Sequence, residues 1–194
     1  RAAAYCPSNP LKEAMTKPYD KKTVFEGKYL RMCVQGHWEF AERTNAGAAV
    51  IIIARTPDDK LLFVEQYRIP MGRNCIEMPA GLVGDLDAND TLELAAKREL
   101  LEETGWQAEH VKVLIIGPTS SGLSNEQIAF VRATGLTRIH AGGGDETENI
   151  TVHEVPVADA AKWLTQKMAE GYSMDPKLWA GLWLLDKNPD GSPA

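Results

Sequence analysis

The sequence predicts an α/β (α+β) fold, a mixed sheet covered by helices. Three observations predict it. Two dense apolar runs, Val50-Ile51-Ile52-Ile53 and Leu61-Leu62-Phe63-Val64, read as strands buried on both faces. The stretch from Thr91 to Thr104 has helical character and stops at Gly105. Further strand-like runs then lead into two helical segments at the end of the chain.

In chain order, residues 1–22 mix Pro, Lys, Asn and Tyr without periodicity and read as an irregular arm. Lys28 to Val34 and His37 to Arg43 form the strands of a small antiparallel β hairpin, with Gln35-Gly36 as the turn. The two apolar strands follow, separated by the turn segment Thr56-Pro57-Asp58-Asp59. Asp90 is the candidate N-cap of the first helix. Strands are expected at Val111 to Gly117, Gln127 to Ala133 and Ile150 to Val155. Two helices close the chain, Ala158 to Glu170, stopped by Gly171, and Pro176 to Asp186, capped by Asp175. At 194 residues the chain fits one main core with a small appendage, an arm and hairpin over 1–45 and the main domain over 46–194.

The net charge of −6, without a long basic run, excludes a protein that binds nucleic acid through phosphate neutralisation. An anionic substrate would need a divalent metal or a few placed arginines. Cys6, Cys33 and Cys75 are odd in number and lack a Cys-x-x-Cys pair, which fits neither a disulfide framework nor a zinc site and predicts a reducing, cytoplasmic setting. No run approaches the roughly 18 apolar residues of a membrane span, and Arg1 to Pro10 lacks an apolar signal core. His37, His110, His140 and His153 show no ligand spacing and read as structural.

The informative segment is Arg98-Glu99-Leu100-Leu101-Glu102-Glu103-Thr104-Gly105-Trp106. Glu99, Glu102 and Glu103 fall at i, i+3 and i+4, within an arc of roughly 100° on one helical face. Like charges at that spacing destabilise a helix unless a cation sits among them. Magnesium suits hard carboxylate oxygens and substrate phosphates. A solvated acidic face fits the three glutamates alone equally well.

The surrounding residues separate these readings. Arg-Glu-hydrophobic-x-Glu-Glu-x-Gly-hydrophobic is the core of the Nudix box, and the chain resembles it at every fixed position. Chance recurrence of such a pattern is on the order of 10⁻⁴ for a chain of this length. Upstream, Gly84 holds the Gly spacing of the box and Asp90 stands where Glu is usual. The resemblance implies a Nudix α/β/α sandwich with a mixed sheet. Glu65-Gln66-Tyr67-Arg68-Ile69-Pro70 and Glu77-Met78-Pro79-Ala80-Gly81-Leu82 look closest to the ADP-ribose and nucleoside diphosphate sugar hydrolases of that family.

That branch implies a set of roles. Glu99, Glu102, Glu103 and the Ala80 carbonyl would hold Mg²⁺, with Mn²⁺ as the alternative hard cation; Glu102 also stands among the catalytic candidates. Arg68 would reach the diphosphate, although a strand-end Arg by itself reads as a surface ion-pair residue. Gly81, Arg43 and Glu126 join it as substrate-binding candidates. Ser120-Ser121-Gly122-Leu123-Ser124-Asn125-Glu126 resembles the Ser-Pro-Gly loop of ADP-ribose hydrolases, with Ser121 where their proline is expected. Gly142 to Asn149 resembles the mobile acidic loop that carries the general base, either Glu146 or Glu148, and the glycines read as a source of loop mobility.

Tyr29, after Gly27-Lys28, and Trp38, before Glu39, resemble the pair of aromatics that sandwich the base, although strand aromatics fit a core equally well. In the family the hairpin is exchanged between subunits, which implies a homodimer. The implied reaction is Mg²⁺-dependent hydrolysis of a nucleoside diphosphate sugar, ADP-ribose first among the candidates, to a nucleoside monophosphate and a sugar phosphate. The other readings are a ligand-sensing Nudix-like module without catalysis, and a hydrolase of a dinucleotide or coenzyme A.

Overall fold

The computed structural model describes residues 19–84, 89–144 and 149–194. Three short strands come first: β1 (Lys22–Glu26), β2 (Leu30–Gln35) and β3 (Trp38–Arg43) form one antiparallel sheet in the order β1-β2-β3. The hairpin is therefore real, and the segment between the expected irregular arm and the hairpin supplies a third strand. All five residues of β1 are exposed, so no burial alternation marks it in sequence. Gly36 makes the β2–β3 turn at φ 64°, a left-handed conformation that suits glycine.

Next come β4 (Ala48–Ala54), β5 (Lys60–Arg68), β6 (Arg73–Glu77) and β7 (Ala80–Val83), then helix α1 (Leu92–Thr104). Strands β8 (Trp106–Pro118), β9 (Gln127–Arg138) and β10 (Ile150–Pro156) follow. Helix α2 (Ala160–Ala169), the short β11 (Ser173–Met174) and helix α3 (Lys177–Leu185) complete the chain. The strands form two mixed sheets, β7-β4-β9-β8 and β10-β5-β6-β11, with β4 parallel to β9 and β11 parallel to β6. This is the α/β/α sandwich.

The apolar run of β4 explains how helices cover both faces. Successive side chains of a strand point to opposite sides. Val50, Ile52 and Ala54 pack with Ala95, Ala96 and Leu100 of α1, whereas Ile51 and Ile53 pack with Phe63, Leu164 and Leu178 under α2 and α3. A strand clamped this way holds its register, because a one-residue slip would exchange the two faces.

Helix α1 is capped by Thr91, whose hydroxyl accepts from the Leu94 N–H at 3.2 Å. Asp90, the expected cap, instead pairs with Arg98 at 3.1 Å. Gly105, in the left-handed region at φ 74°, closes the helix by donating its N–H to Leu101 O at 2.8 Å. Asp175 does cap α3, accepting from the Lys177 N–H at 2.9 Å. Among the described residues no helix is long and apolar enough to cross a membrane.

The small sheet is tied to the main body by Glu42. Its carboxylate is 6% exposed and accepts from Lys21 Nζ and Arg31 Nε, each at 2.9 Å, and from Asn125 Nδ2 at 2.7 Å. Backbone bonds reinforce this link, from Ala41 N to Leu123 O at 2.8 Å and from Asn125 N to Ala41 O at 3.4 Å. The hydrogen bond from Lys21, opposed by burial and supported by Cys33 and Arg31, holds the Glu42 carboxyl below its ordinary value. A depressed folded pKa adds stability that is present above the unfolded pKa and lost as pH falls through the folded one. Glu42→Gln should therefore lower neutral-pH stability by about 1–3 kcal/mol, with the difference from the parent shrinking below pH ~4. Urea melts at pH 7 and pH 3 check this; equal loss at both would exclude the ionised carboxylate as the cause.

Candidate active site

The site forms where α1 passes the edge strand β7. In the β4–β7 ladder Val50 pairs with Gly81 and Ile51 with Ala80, and Ile52 N donates to Pro79 O at 2.8 Å. Hydrogen-bonded and non-bonded pairs alternate in an antiparallel ladder, so Ala80 occupies a non-bonded position. Its N–H and C=O consequently face away from β4, off the sheet edge. The N–H meets Glu103, whose Oε2 accepts it at 3.0 Å. Glu103 is only 4% exposed, which makes this carboxylate the most enclosed of the three.

Glu99 lies against Gly81. A Cβ built on Gly81 would stand 1.9 Å from Glu99 Cδ and 2.1 Å from its Oε1. Glycine at position 81 therefore makes the space that the Glu99 carboxylate fills. Arg98 fixes it from the other side, with Nη1 at 2.7 Å from Glu99 Oε1, while Nη2 donates to Leu82 O and Asp90 Oδ2, both at 3.1 Å. The i+4 partner Glu102 stands farther away at 3.6 Å and is 51% exposed. Arg98 thus orients Glu99 more closely than Glu102. Asp90 completes the same link, and its short carboxylate still reaches the guanidinium.

Across the cleft, two of the three Arg68 guanidinium nitrogens, Nε and Nη2, donate to Glu77, with Nε at 3.1 Å from Oε1. This two-point contact fixes the guanidinium plane. The Glu77 hydrogen bonds hold the Arg68 pKa above its ordinary value against partial burial, so its positive charge is constant. Arg43 is held by Glu126, which also accepts from Thr119 Oγ1 at 3.2 Å. A cavity of about 350 Å³ brings together Arg43, Arg68, Ala80, Gly81, Glu99 and Glu103. Two cations thus face two carboxylates.

Other expected site residues lie apart. Glu102 and Glu126 are beside this cavity rather than in its wall. Tyr29 and Trp38 are 55% and 50% exposed on the small sheet. Leu30, next to Tyr29, pairs with Arg43, and Gln35 pairs with Trp38, so six strand steps separate the two aromatics. That is about 20 Å. Within one chain they cannot enclose one base. Glu146 and Glu148 lie outside the described residues.

The flanks of that loop are described, and they give its glycines a use other than mobility. Gly143 N donates to Glu103 O at 2.8 Å and Gly144 N to Glu102 O at 3.1 Å, satisfying carbonyls at the end of α1. A Cβ on Gly142, at φ 76°, would meet Glu103 O at 2.6 Å. Ile150 N returns to Gly143 O at 3.3 Å. Both ends of the loop are thus anchored beside Glu102 and Glu103. Sequence reasoning missed these contacts and the Arg68–Glu77 clamp. Only the presence of Glu77 in the Pro-Ala-Gly segment hinted at the latter.

Hard oxygen donors on one helical turn, a backbone carbonyl off a sheet edge and a fixed arginine are groups that could hold a divalent cation and an anionic substrate. Comparison with known proteins gives the family. A model described as NUDIX domain matches residues 45–176. The chain is 32% identical over 165 residues to a methanol dehydrogenase activator of Bacillus methanolicus, covering 79% of this chain and 88% of that one. It is 31% identical over 159 residues to an ADP-ribose pyrophosphatase of Bacillus subtilis (strain 168), covering 78% and 84%. The crystal structure of an ADP compounds hydrolase superposes with a TM-score of 0.69 at 22% identity, covering 87% of this chain and 91% of that one, which shows a shared fold. The chain belongs to the Nudix family and is a hydrolase acting on diphosphate bonds.

Proposed function

We propose that this hydrolase cleaves the diphosphate of a nucleoside diphosphate sugar, with ADP-ribose the first substrate to test. The observation that carries the reading is the cleft in which Arg68 and Arg43 oppose Glu99 and Glu103. It suits a diphosphate flanked by two larger groups better than a terminal phosphate. The relationship to an ADP-ribose pyrophosphatase supports it.

The residues fit a divalent cation by donor type, and the missing side chain at Gly81 lets the Glu99 carboxylate stand among them. Among the described residues, no three acidic, His or Cys side chains stand together as a ready ligand set, because Glu103 is turned onto the Ala80 N–H and Glu102 is exposed. Glu99, Glu102, Glu103 and the Ala80 carbonyl would hold the ion. Bound Mg²⁺ supplies neutralisation of diphosphate charge and a water of lowered pKa.

The protein groups do the rest. Arg68, oriented by Glu77, neutralises a non-bridging oxygen of the diphosphate, and Arg43, lining the same cavity, neutralises another. Glu146 or Glu148, on the loop anchored at Gly143 and Ile150, takes the proton of the attacking water. The new P–O bond forms in line as the bridging P–O bond breaks, and the second phosphate leaves with its sugar. The products are a nucleoside monophosphate and a sugar phosphate.

Tyr29 and Trp38 stack the base from two chains of a homodimer that exchange their N-terminal sheets. Their separation within one chain and the exposure of Val24, Phe25, Leu30 and Met32 on the same sheet support this. Trp38→Ala should raise KM about tenfold, with kcat nearly unchanged. An unaltered KM would remove Trp38 from the binding site. The free, buried Cys33 and Cys75 fit a reducing cytoplasm.

The deciding experiment is turnover by the purified protein with magnesium on ADP-ribose, GDP-mannose, UDP-glucose, diadenosine compounds and coenzyme A. Nucleotide sugars should be cleaved fastest, and chelation should stop the reaction until magnesium is returned. Preference for a dinucleotide or coenzyme A would reject the substrate class. Tight binding without turnover of any compound would point to a sensing module.

A further inference from the structure

We propose that the cavity between the β8–β9 hairpin and the end of α3 is a second binding site, for a phosphate-bearing small molecule of nucleotide size. It measures about 570 Å³ and shares no wall residue with the catalytic cleft. That volume lies within the range of small-molecule sites, about 300–1,000 Å³. Strand β4 runs from one to the other: Ala49 lines the cleft and Arg55, just past the end of β4, lines the cavity, six residues on. The sites are therefore about 20 Å apart along the strand.

Charge placement is the first reason. Lys112 of β8 pairs directly with Arg132 of β9. Like charges opposite one another on a sheet face are destabilising. Among the described residues neither forms an ion pair: Lys112 donates to Asn188 Oδ1 at 3.4 Å, and Arg132 reaches the same oxygen at 3.5 Å and otherwise only backbone carbonyls. The protein carries net charge −6, yet it concentrates cations here. Arg55 adds a third at the wall, held by Asp59 at 2.6 Å and Asp186 at 3.1 Å. Two further acids stand near: Asp190, which accepts from Ser192 Oγ at 2.7 Å and feels the Lys112 charge without pairing to it, and Glu109, beside His110 at 3.3 Å.

The second reason is the state of Arg132. Its Nη2 donates to Leu184 O and Lys187 O, both at 2.6 Å, so the guanidinium is fixed at the end of α3. Its Nε is buried without an acceptor. A buried donor without a partner is rare and costly, and an absent anion is one of its ordinary explanations. The third reason is the floor. The half-buried Val111, backed by the buried Ile53, Ala133 and Leu185, gives the cavity an apolar side beside the cations, which suits a ligand with a phosphate at one end and a ring at the other.

Calorimetric titration of metal-free protein with AMP and with inorganic phosphate tests the site. Arg132 is left intact because it caps α3. Arg68→Ala should retain AMP binding, whereas Lys112→Gln and Arg55→Gln should each weaken it by about tenfold or more. AMP binding more tightly than phosphate assigns the floor to the ring; equal affinities assign recognition to the phosphate alone, from whichever source. Lys112→Gln should also melt no lower than the parent in anion-free buffer, because it relieves a repulsion. Three results overturn the proposal: no binding by the parent, loss of all binding with Arg68→Ala, or a lower melting temperature for Lys112→Gln, which would make Lys112 a structural support.

Discussion

Glu103→Gln should lower kcat/KM about 10³-fold, equivalent to roughly 4 kcal/mol of transition-state stabilisation, while leaving the fold intact. The two expectations separate because the proposed role of Glu103 as a ligand is distinct from its hydrogen bond to β7. Its buried Oε2 accepts the Ala80 N–H at 3.0 Å, and a glutamine carbonyl oxygen can accept the same bond. The negative charge cannot be replaced. Loss of a hard anionic ligand weakens the hold on a divalent cation without opening a cavity. Steady-state rates across a magnesium titration, together with thermal melts, check this. Parent-like turnover at saturating magnesium would show that Glu103 is only a strut for β7.

Gly81→Ala should cost about 10²-fold in activity, a loss of roughly 3 kcal/mol, with a change in stability below about 1 kcal/mol. The new methyl group would stand 1.9 Å from Glu99 Cδ, an impossible contact. The atoms in its way belong to the end of a flexible side chain, so folding is relieved cheaply by rotating Glu99 outward. Catalysis is not relieved, because the carboxylate then leaves the cavity it shares with Arg68 and Glu103. Gly81→Ala with Glu99→Gln should be little worse than either change alone, since both remove the same group. Full additivity would mean that Gly81 acts through something other than Glu99.

Several features of the fold were legible because their signals are local. The apolar runs of β4 and β5 have no polar side to show and are buried on both faces as expected. The box helix ends at Gly105 as its sequence predicts. Strand β1 escaped notice because every residue in it is exposed. Strands β6 and β7 are short, and β7 owes its place to pairing with β4 rather than to its own composition. Asp90 preceded a helix and looked like a cap, but Thr91 took that position and released Asp90 to Arg98.

The sequence by itself determined the chemistry available: three carboxylates on one helical turn, and the family motif that surrounds them. A helix of 3.6 residues per turn makes that arrangement inescapable once the helix forms. Only the tertiary structure decided how the carboxylates differ. Glu103 is buried on the Ala80 N–H, Glu99 is wedged between Gly81 and Arg98, and Glu102 is left half in solvent. The register of β7 on β4 sets this, because it aims the Ala80 backbone off the sheet edge, and register depends on packing across two layers. Contacts between residues as distant as Arg43 and Glu126, or Glu103 and Gly143, have no local signature and arise only when the layers close.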